Sequence, residues 1–266
     1  MTTTTERTLV NYTVTDGVAV IELTNPPANT YSHGMMRQLD EAILQARFDD
    51  NVHVLVIRGA GEKFFCAGAD INMLNTVTPG FKYYFCLHAN ETLLRLEQTP
   101  KLVIAALNGH TVGGGLEIAL ACDIRIARRN AGKVGLPEVG LGVLPGTGGT
   151  QRMARALPKN KAIELMTEGK LFNFEDAQEL GLVNYIYEAE GYWDKVMEYA
   201  HQFCPPNKAS KTVGRIKRSV QSGAEVALSE GLALERELQQ LCFQSEDAKE
   251  GLAANAEKRK GNFTGR

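Results

Sequence analysis

The feature of this sequence that most constrains its fold is an alternation of helical stretches with short runs that are apolar almost throughout. Two such runs, residues 52–58 and residues 102–107, have the length of strands and lack the polar alternation of a strand with one face in water. Each run follows a stretch with apolar residues at helical spacing, at residues 32–48 and at residues 81–97. Ser32 is the expected N-cap of the first of these helices. Strands buried on both faces that alternate with helices predict a layered α/β core.

Shorter elements extend this pattern. A β-hairpin is predicted where two β-rich runs, residues 10–14 and residues 18–23, flank an Asp-Gly dipeptide at positions 16–17. A helix at residues 114–122 and a strand at residues 123–127 continue the alternation. This order suits a tandem strand–strand–helix unit, although the residues alone do not establish the repeat.

The segment at residues 204–207, Cys-Pro-Pro-Asn, divides the chain, because it interrupts regular structure. Residues 1–204 are predicted to form the α/β core, whereas residues 205–266 have no strand pattern. Three helices are predicted in this second region, at residues 208–222, 224–244 and 246–260. An apolar stripe on the middle helix consists of Leu228, Leu232, Leu234, Leu238 and Leu241. A helical region of this size buries little surface by itself. We therefore expect residues 205–266 to pack on the core or on a neighbouring subunit.

Charge and cysteine content exclude several classes of protein. The 266 residues include 29 lysines and arginines against 31 aspartates and glutamates, a formal net charge of −2, so neither nucleic acid nor an anionic membrane is an expected partner. The apolar runs are too short to span a bilayer, and the first seven residues, an expected frayed tail, lack the pattern of a signal peptide. Five scattered cysteines, an odd number without a Cys-x-x-Cys pair, indicate buried thiols in a reducing compartment, and we expect a cytoplasmic location.

Common catalytic signatures and metal sites are not indicated. The sequence contains no Gly-x-Ser-x-Gly nucleophile motif and no phosphate-binding P-loop. The histidines have no metal-ligand spacing, and His110, which lies beside a glycine-rich turn, is expected to be a structural imidazole. No metal is therefore predicted.

The most informative segment is residues 109–117, GHTVGGGLE, at a predicted strand-to-helix junction. Three consecutive glycines let a backbone approach a ligand closely, and the first amides of the following helix stabilise negative charge. Glu117 is the only charged residue in the apolar stretch 113–122. A buried carboxylate is costly unless it is paired or its pKa rises, so we interpret Glu117 as a functional group. The alternative is that its side chain reaches an exposed edge.

A second isolated acid, Glu138, lies in a glycine- and proline-rich loop at residues 135–142. This loop alone is a weak signal, because a surface carboxylate is the default at such a position. Together with Glu117 it indicates acid–base chemistry, in which one carboxylate accepts a proton from water while the other delivers a proton to carbon.

A third segment, residues 64–71, is a turn of small residues that exposes backbone N–H groups after a predicted strand. Alone it would be interpreted as a tight surface turn. Two N–H groups from separate turns that meet at one oxygen form an oxyanion hole, but sequence spacing does not show whether they meet.

These segments together resemble the crotonase superfamily, most closely the enoyl-CoA hydratases. The matching stretches are residues 65–71 (FCAGADI), 108–117 (NGHTVGGGLE), 136–142 (LPEVGLG), 144–152 (LPGTGGTQR), 245–251 and 257–260. The resemblance therefore covers nearly the whole chain. It implies an α/β fold, a crotonase-like spiral core of strand–strand–helix units with a C-terminal helical oligomerisation region, usually in homotrimers or homohexamers.

The resemblance also implies roles for individual residues. The backbone N–H groups of Ala69 and Gly114 correspond to the donors that hold the thioester oxygen. Glu117 corresponds to the acid that activates water for attack at C3, and Glu138 to the acid that exchanges the proton at C2. The residues that match the stretches lining the acyl-CoA path are Ala28, Thr30, Ala67, Ala69, Asp70, Ile71, Asn72 and Gly114. No metal or redox cofactor is implied, since coenzyme A is part of the substrate.

Three features depart from the family pattern. Tyr31 interrupts the usual small-aliphatic-polar sequence and would place an aromatic ring close to the acyl-CoA entrance. Asn255 stands where related chains commonly carry phenylalanine, although Lys258 matches. The loop at residues 73–80 lies where the family shapes the acyl pocket and indicates no preferred chain length. These departures leave the acyl group open and do not affect the expected reaction class.

The leading hypothesis is reversible syn addition of water to a trans-2-enoyl-CoA, which gives a 3-hydroxyacyl-CoA. The alternative within the family is an enoyl-CoA isomerase, which needs one acid to move a proton between C2 and C4; two acids favour the hydratase. Decarboxylases, dehalogenases and thioester hydrolases of the superfamily usually lack this pair. A protein of another class, a non-catalytic acyl-CoA-binding or RNA-binding homologue, would be indicated by a lost acid or a strongly basic face, and the sequence has neither.

Overall fold

Two sheets built mainly from parallel strands lie at the centre of the molecule. The structure, a computed structural model, describes residues 7–266, so residues 1–6 of the predicted frayed tail lie outside it. The strands of the larger sheet, in spatial order, are β1 (Val10–Thr15), β2 (Val18–Leu23), β3 (Val54–Gly59), β5 (Leu102–Leu107), β7 (Ile124–Arg128) and β9 (Tyr185–Tyr187). Those of the smaller sheet are β4 (Phe64–Cys66), β6 (His110–Val112) and β8 (Val134–Gly135). Only β1 and β2 pair in antiparallel orientation among these strands.

The chain passes repeatedly from the larger sheet to the smaller one, and this produces a tandem repeat. β3, β5 and β7 belong to the larger sheet, and the strand after each of them, β4, β6 or β8, belongs to the smaller. Helical segments follow each pair and lead to the next strand of the larger sheet. The structure therefore contains the strand–strand–helix repeat that the sequence left open, and the spiral α/β architecture expected from the resemblance is confirmed.

Helices cover the sheets, and the six that the sequence predicted begin within four residues of their expected positions. The helices are α1 (His33–Phe48), α2 (Ile71–Leu74), α3 (Pro79–Glu97), α4 (Gly114–Leu120), α5 (Gly149–Ala156), α6 (Lys159–Glu168), α7 (Phe174–Glu179), α8 (Tyr192–His201), α9 (Ser210–Gly223), α10 (Leu228–Phe243) and α11 (Glu246–Ala256), with a 3₁₀ helix at Glu138–Leu141. Ser32 caps α1 as predicted, because its hydroxyl accepts a hydrogen bond of 3.3 Å from the amide of Met35. Within the described residues, no helix combines the length and apolar character needed to cross a membrane.

The loop predicted at residues 73–80 is shorter in the structure. Asp70 caps α2 by accepting a 2.9 Å hydrogen bond from the amide of Asn72, and Thr78 caps α3 by accepting one of 3.2 Å from the amide of Phe81. α2 continues to Leu74 and α3 begins at Pro79, so that only residues 75–78 of the predicted loop lie between the two helices.

The central strands of the larger sheet are buried on both faces, as their apolar runs predict. In β3, Leu55 and Ile57 point to the core shared with α1, α3 and α4. The alternate residues Val54 and Val56 point to a second core, which is covered by α8. A strand between two cores has no solvent-facing position, and this explains the missing polar alternation.

The helices after residue 204 form a separate layer. α9 packs on β5 and on α10, whereas no residue of α10 is buried. Leu228 and Leu232 of the apolar stripe are 78% and 43% exposed. The stripe therefore does not pack on the core of its own chain, and the division into residues 1–204 and 205–266 stays a prediction.

Candidate active site

Glu117 lies in the first turn of α4, deep inside the protein. Every residue of α4 is buried, because the helix packs against β4, β6 and α5. Glu117 itself is 2% exposed, so the alternative that its side chain reaches an exposed edge is wrong. Burial raises the pKa of its carboxyl, and hydrogen bonds from two backbone amides together with the charge of Arg152 oppose that rise.

The two amides that hold Glu117 belong to Thr147 and Gly149. Each donates a 2.7 Å hydrogen bond to Oε1 of Glu117. Gly149 is the first residue of α5, where backbone N–H groups lack partners within the helix. Sequence reasoning did not assign these two residues, although a Gly-Thr-Gly-Gly run before a predicted helix is a signal for free amides.

Glu138 begins the 3₁₀ helix and faces the glycine turn that precedes α4. A methyl group placed on Gly113 would lie 2.9 Å from Oε1 of Glu138. Oε2 of Glu138 is buried and has no hydrogen-bond partner among residues 7–266. Burial raises the pKa of Glu138 to about 7, and the charge of Glu117 also raises it. Glu138 is thus not the solvated surface carboxylate that its loop alone would suggest.

The turn at residues 64–71 and the glycine turn lie against each other. A methyl group on Gly68 would be 3.0 Å from the backbone nitrogen of Gly114. In the part of the chain that the structure describes, neither Ala69 nor Gly114 uses its backbone N–H for a hydrogen bond. The two candidate donors therefore come from adjacent turns, which is the arrangement that an oxyanion hole requires.

The three consecutive glycines also allow close packing of the turn against neighbouring residues. Gly113 has φ 58° and ψ −131°, a conformation that other residues rarely adopt. A Cβ on Gly114 would overlap the ring of Tyr31, and one on Gly115 would overlap the carbonyl of Cys66. All three Cβ directions meet protein atoms, so each glycine permits close packing around the acids, and the approach of a ligand to the Gly114 N–H stays a prediction.

The family of the chain follows from comparison with known proteins. A sequence model described as enoyl-CoA hydratase/isomerase matches residues 13–266. The chain belongs to the enoyl-CoA hydratase/isomerase family.

Members of this family with nearly the same length are similar to the chain. It is 37% identical over 244 residues to the short-chain-enoyl-CoA hydratase of Clostridium acetobutylicum, an alignment that covers 91% of this chain and 92% of that one. It is 35% identical over 247 residues to the crotonyl-CoA hydratase of Syntrophomonas wolfei, with 92% and 94% covered. A solved enoyl-CoA hydratase structure from Geobacillus kaustophilus shares 43% identity and a TM-score of 0.95, with 98% of each chain covered. These matches confirm the crotonase fold.

Tyr31, which departs from the family pattern, has a buried side chain. It is 2% exposed, with its ring 5.9 Å from that of Phe85, and its hydroxyl is 2.8 Å from Oγ1 of Thr147. The ring therefore lies inside the protein, between the turn and α3, and its relation to the acyl-CoA entrance stays a prediction.

The remaining residues of the expected acyl-CoA path lie on two paired segments. The carbonyl of Ala28 accepts a 3.0 Å hydrogen bond from the amide of Ala67, which places residues 28–31 beside residues 67–70. Along these segments Thr30, Ala67 and Asp70 are partly buried, and Ile71 and Asn72 at the start of α2 are exposed. The fold thus brings together all the residues expected on the path, and their role in binding stays a prediction.

The histidines have structural contacts. His110 accepts a 3.1 Å hydrogen bond at Nδ1 from the amide of Lys133, as expected of a structural imidazole. His33 and His88 lie next to each other, with ring centroids 5.3 Å apart, a pairing that sequence spacing did not reveal. Among the described residues, no group of three or more histidines, cysteines and acids is placed to hold a metal ion.

Proposed function

We propose that this chain is an enoyl-CoA hydratase that adds water reversibly across the C2–C3 double bond of a trans-2-enoyl-CoA. The observation that carries the proposal is the placement of two carboxylates close to one glycine turn. Glu117 follows the glycine turn in the buried helix α4, and Glu138 reaches the same turn at Gly113. Family membership supports the substrate class, since the similar chains are named as hydratases of short-chain enoyl-CoA and crotonyl-CoA.

Ala69 and Gly114 act on the thioester in this proposal. Their backbone N–H groups donate to the carbonyl oxygen, which becomes negatively charged as the enolate forms. Donors held in place before the reaction stabilise such charge by several kcal/mol, because they need not reorganise. The adjacency of the two turns at Gly68 and Gly114 supports this role.

Glu117 acts as the base. Its Oε1 is held by two amides, so the carboxylate has one orientation in which to receive a water molecule. The water oxygen bonds to C3 while Glu117 takes one water proton, and the π electrons of the double bond move to the thioester oxygen. Hydrogen bonds to Oε1 oppose the rise in the pKa of Glu117 that burial causes, and so favour the carboxylate form that a base requires.

Glu138 acts as the acid. As the enolate collapses, C2 takes a proton from Glu138, which completes the 3-hydroxyacyl-CoA. A pKa of about 7 leaves a large fraction of Glu138 protonated at neutral pH, as a general acid requires. The proton that Glu117 gained then passes back to Glu138, and this resets the site for the next turnover.

The test of this proposal is hydration of crotonyl-CoA, followed as loss of the conjugated thioester absorbance. Glu117→Gln and Glu138→Gln should each reduce kcat by about 10²–10⁴-fold, because each removes one proton-transfer group and leaves the binding surface in place. Glu190→Gln, a change at an exposed acid before α8, is the matched control and should keep the native rate. Near-native hydration by either active-site variant would contradict the two-acid mechanism.

Isomerisation is the second candidate activity within the family. A 3-enoyl-CoA offered to the protein in deuterated water would be converted to the conjugated 2-enoyl-CoA if one acid moves a proton between C2 and C4. We expect this reaction to be slower than hydration, because two acids lie close to the turn. A faster isomerisation would favour the alternative. A non-catalytic acyl-CoA-binding or RNA-binding role would be indicated if neither reaction occurred.

Assembly, location and cofactors complete the proposal. The exposed leucines of α10 support a homotrimer or homohexamer in which this face is covered by another subunit. Light scattering would then give three or six times the chain mass of 29.1 kDa. We also propose a cytoplasmic enzyme that needs no metal and no cofactor besides the coenzyme A of its substrate, which full activity after dialysis against a chelator would support.

A further inference from the structure

Tyr31 contacts the groups of the candidate active site through its backbone as well as its side chain. Its amide donates a 2.9 Å hydrogen bond to the carbonyl of Gly68, and its carbonyl accepts one of 3.0 Å from the amide of Asp70. These two bonds flank Ala69 and hold its peptide in place, so that the N–H of Ala69 points away from Tyr31.

The ring of Tyr31 packs on the second oxyanion donor. Gly114 lies so close to the ring that a side chain there would overlap the phenol. On its other side the ring contacts Phe85 of α3, at a centroid distance of 5.9 Å. The ring therefore fills the space between α3 and the glycine turn.

The hydroxyl of Tyr31 is connected to Glu117 by hydrogen bonds through Thr147. It lies 2.8 Å from Oγ1 of Thr147, and both groups are buried. The amide of Thr147 donates to Oε1 of Glu117 at 2.7 Å, and the Thr147 hydroxyl also lowers the pKa of Glu117. Burial and the charge of Glu117 raise the pKa of the Tyr31 phenol well above its usual value, so it stays a protonated donor.

The hydrogen bonds of these three residues have one direction that stabilises the Glu117 carboxylate. The neutral phenol donates its proton to Oγ1 of Thr147, which leaves the Thr147 hydroxyl proton free to point at the Glu117 carboxylate. Each donor polarises the next, and the last one acts on the negative charge of the base.

We propose that Tyr31 is a positioning residue for hydration, whose hydroxyl acts through Thr147 to orient the Glu117 carboxylate and to stabilise its negative charge. This inference rests on the proposed hydratase function. A residue that only fills the core would be replaced equally well by phenylalanine, which keeps the ring and lacks the hydroxyl.

The primary test is the pH dependence of crotonyl-CoA hydration by Tyr31→Phe. Without the phenol donor the Glu117 carboxylate loses stabilisation, so its pKa rises and the acidic limb of kcat/KM moves to higher pH, by about 0.3–1 pH unit. We expect kcat to fall about 5–50-fold and KM to change less than about 2-fold, because the oxyanion donors remain in place.

A double-mutant cycle with Thr147 tests whether the two hydroxyls act as one unit. Thr147→Val removes the intermediate hydroxyl and keeps the shape, and it should move the acidic limb in the same direction. Tyr31→Phe combined with Thr147→Val should then lose little more activity than Thr147→Val alone. Thr147→Ser retains the hydroxyl and should restore the native pH profile.

Tyr192→Phe is the matched control. Its buried hydroxyl donates a 2.8 Å hydrogen bond to the carbonyl of Ile126 in the second core, so the substitution removes a similar bond far from Glu117. Thermal unfolding of every variant separates folding defects from catalytic ones. A native profile in Tyr31→Phe, or additive losses in the cycle, would overturn the inference while wild-type hydration stands. Failure of the wild-type protein to hydrate any enoyl-CoA would overturn the proposed function itself.

Discussion

Oε1 of Glu138 occupies the space into which a side chain on Gly113 would project, since a Cβ there would be 2.9 Å away. Gly113 also holds the backbone at φ 58° and ψ −131°, which is open to glycine and strained for other residues. The next residue, Gly114, carries one of the candidate oxyanion donors. One glycine therefore couples the position of an acid to the direction of a backbone amide.

Gly113→Ala should disrupt both groups at once. The added methyl forces Glu138 away from the turn and strains the backbone, so we expect kcat for crotonyl-CoA hydration to fall at least about 100-fold and the free energy of unfolding to fall by about 1–3 kcal/mol. Gly80→Ala in the first turn of α3 is the control, because its Cβ would meet only Oγ1 of Thr78, at 4.0 Å. Retained activity in Gly113→Ala would show that Glu138 does not need this position.

The raised pKa of Glu138 predicts how stability depends on pH. Its carboxyl pKa rises from 4.5 to about 7 on folding, so the folded state binds this proton more tightly than the unfolded state. The favourable contribution is therefore complete below pH 4.5 and is lost as the pH rises towards 7. For a partly exposed group this loss amounts to about 1–2 kcal/mol.

Glu138→Gln should remove this pH dependence. Glutamine is neutral throughout, so at pH 8 we expect the variant to be about 1–2 kcal/mol more stable than the wild type although it is nearly inactive. Urea unfolding at pH 5 and pH 8, compared between the two proteins, measures the effect, with Glu190→Gln as the control. If the wild type and Glu138→Gln differed in stability by the same amount at pH 5 and at pH 8, Glu138 would be ionised without cost in the folded protein.

Local patterns in the sequence were sufficient to predict the strands of the larger sheet up to β7, the helices α1, α3 and α4 and the three C-terminal helices, whereas the elements between β7 and α9 were not predicted. The Asp-Gly dipeptide at positions 16–17 adopts positive φ at both residues, 48° and 82°, as a two-residue hairpin turn between twisted strands requires. The strand at residues 102–107 is identical to its prediction, since burial on both faces leaves an uninterrupted apolar run. Such features are determined by residues that are close together in the sequence, and they can therefore be predicted from it.

The contacts between distant residues could not be predicted in this way. Tyr31 and Thr147 are 116 positions apart, and their hydrogen bond exists only because the spiral brings α5 back to the first repeat. The burial of Glu117 was predicted from its apolar neighbours, whereas its hydrogen bonds with Thr147 and Gly149 were not. The motif of the family indicated the acids, and the structure shows what holds one of them.

Lys217 and Asp123 join the C-terminal helices to the core. Nζ of Lys217 lies 2.8 Å from Oδ2 of Asp123, and their side chains are only 5% and 11% exposed. Asp123 also accepts hydrogen bonds from the amide of Val103, at 2.8 Å, and from the side chain of Gln221, at 2.9 Å. Burial raises the pKa of Asp123, and the charge of Lys217 opposes that rise.

Lys217→Met should leave a buried carboxylate without its cation. Because two hydrogen bonds to Asp123 remain, we expect the free energy of unfolding to fall by about 2–4 kcal/mol at pH 8. The pKa of Asp123 rises further in this variant, so protonation relieves the unpaired charge and the deficit should shrink as the pH falls towards 5. Lys211→Met, on the exposed face of the same helix, should have little effect at either pH. Restoration of stability by Asp123→Asn in the Lys217→Met background would identify the unpaired charge as the cause, whereas an equal deficit at both pH values would point to lost packing of the lysine stem.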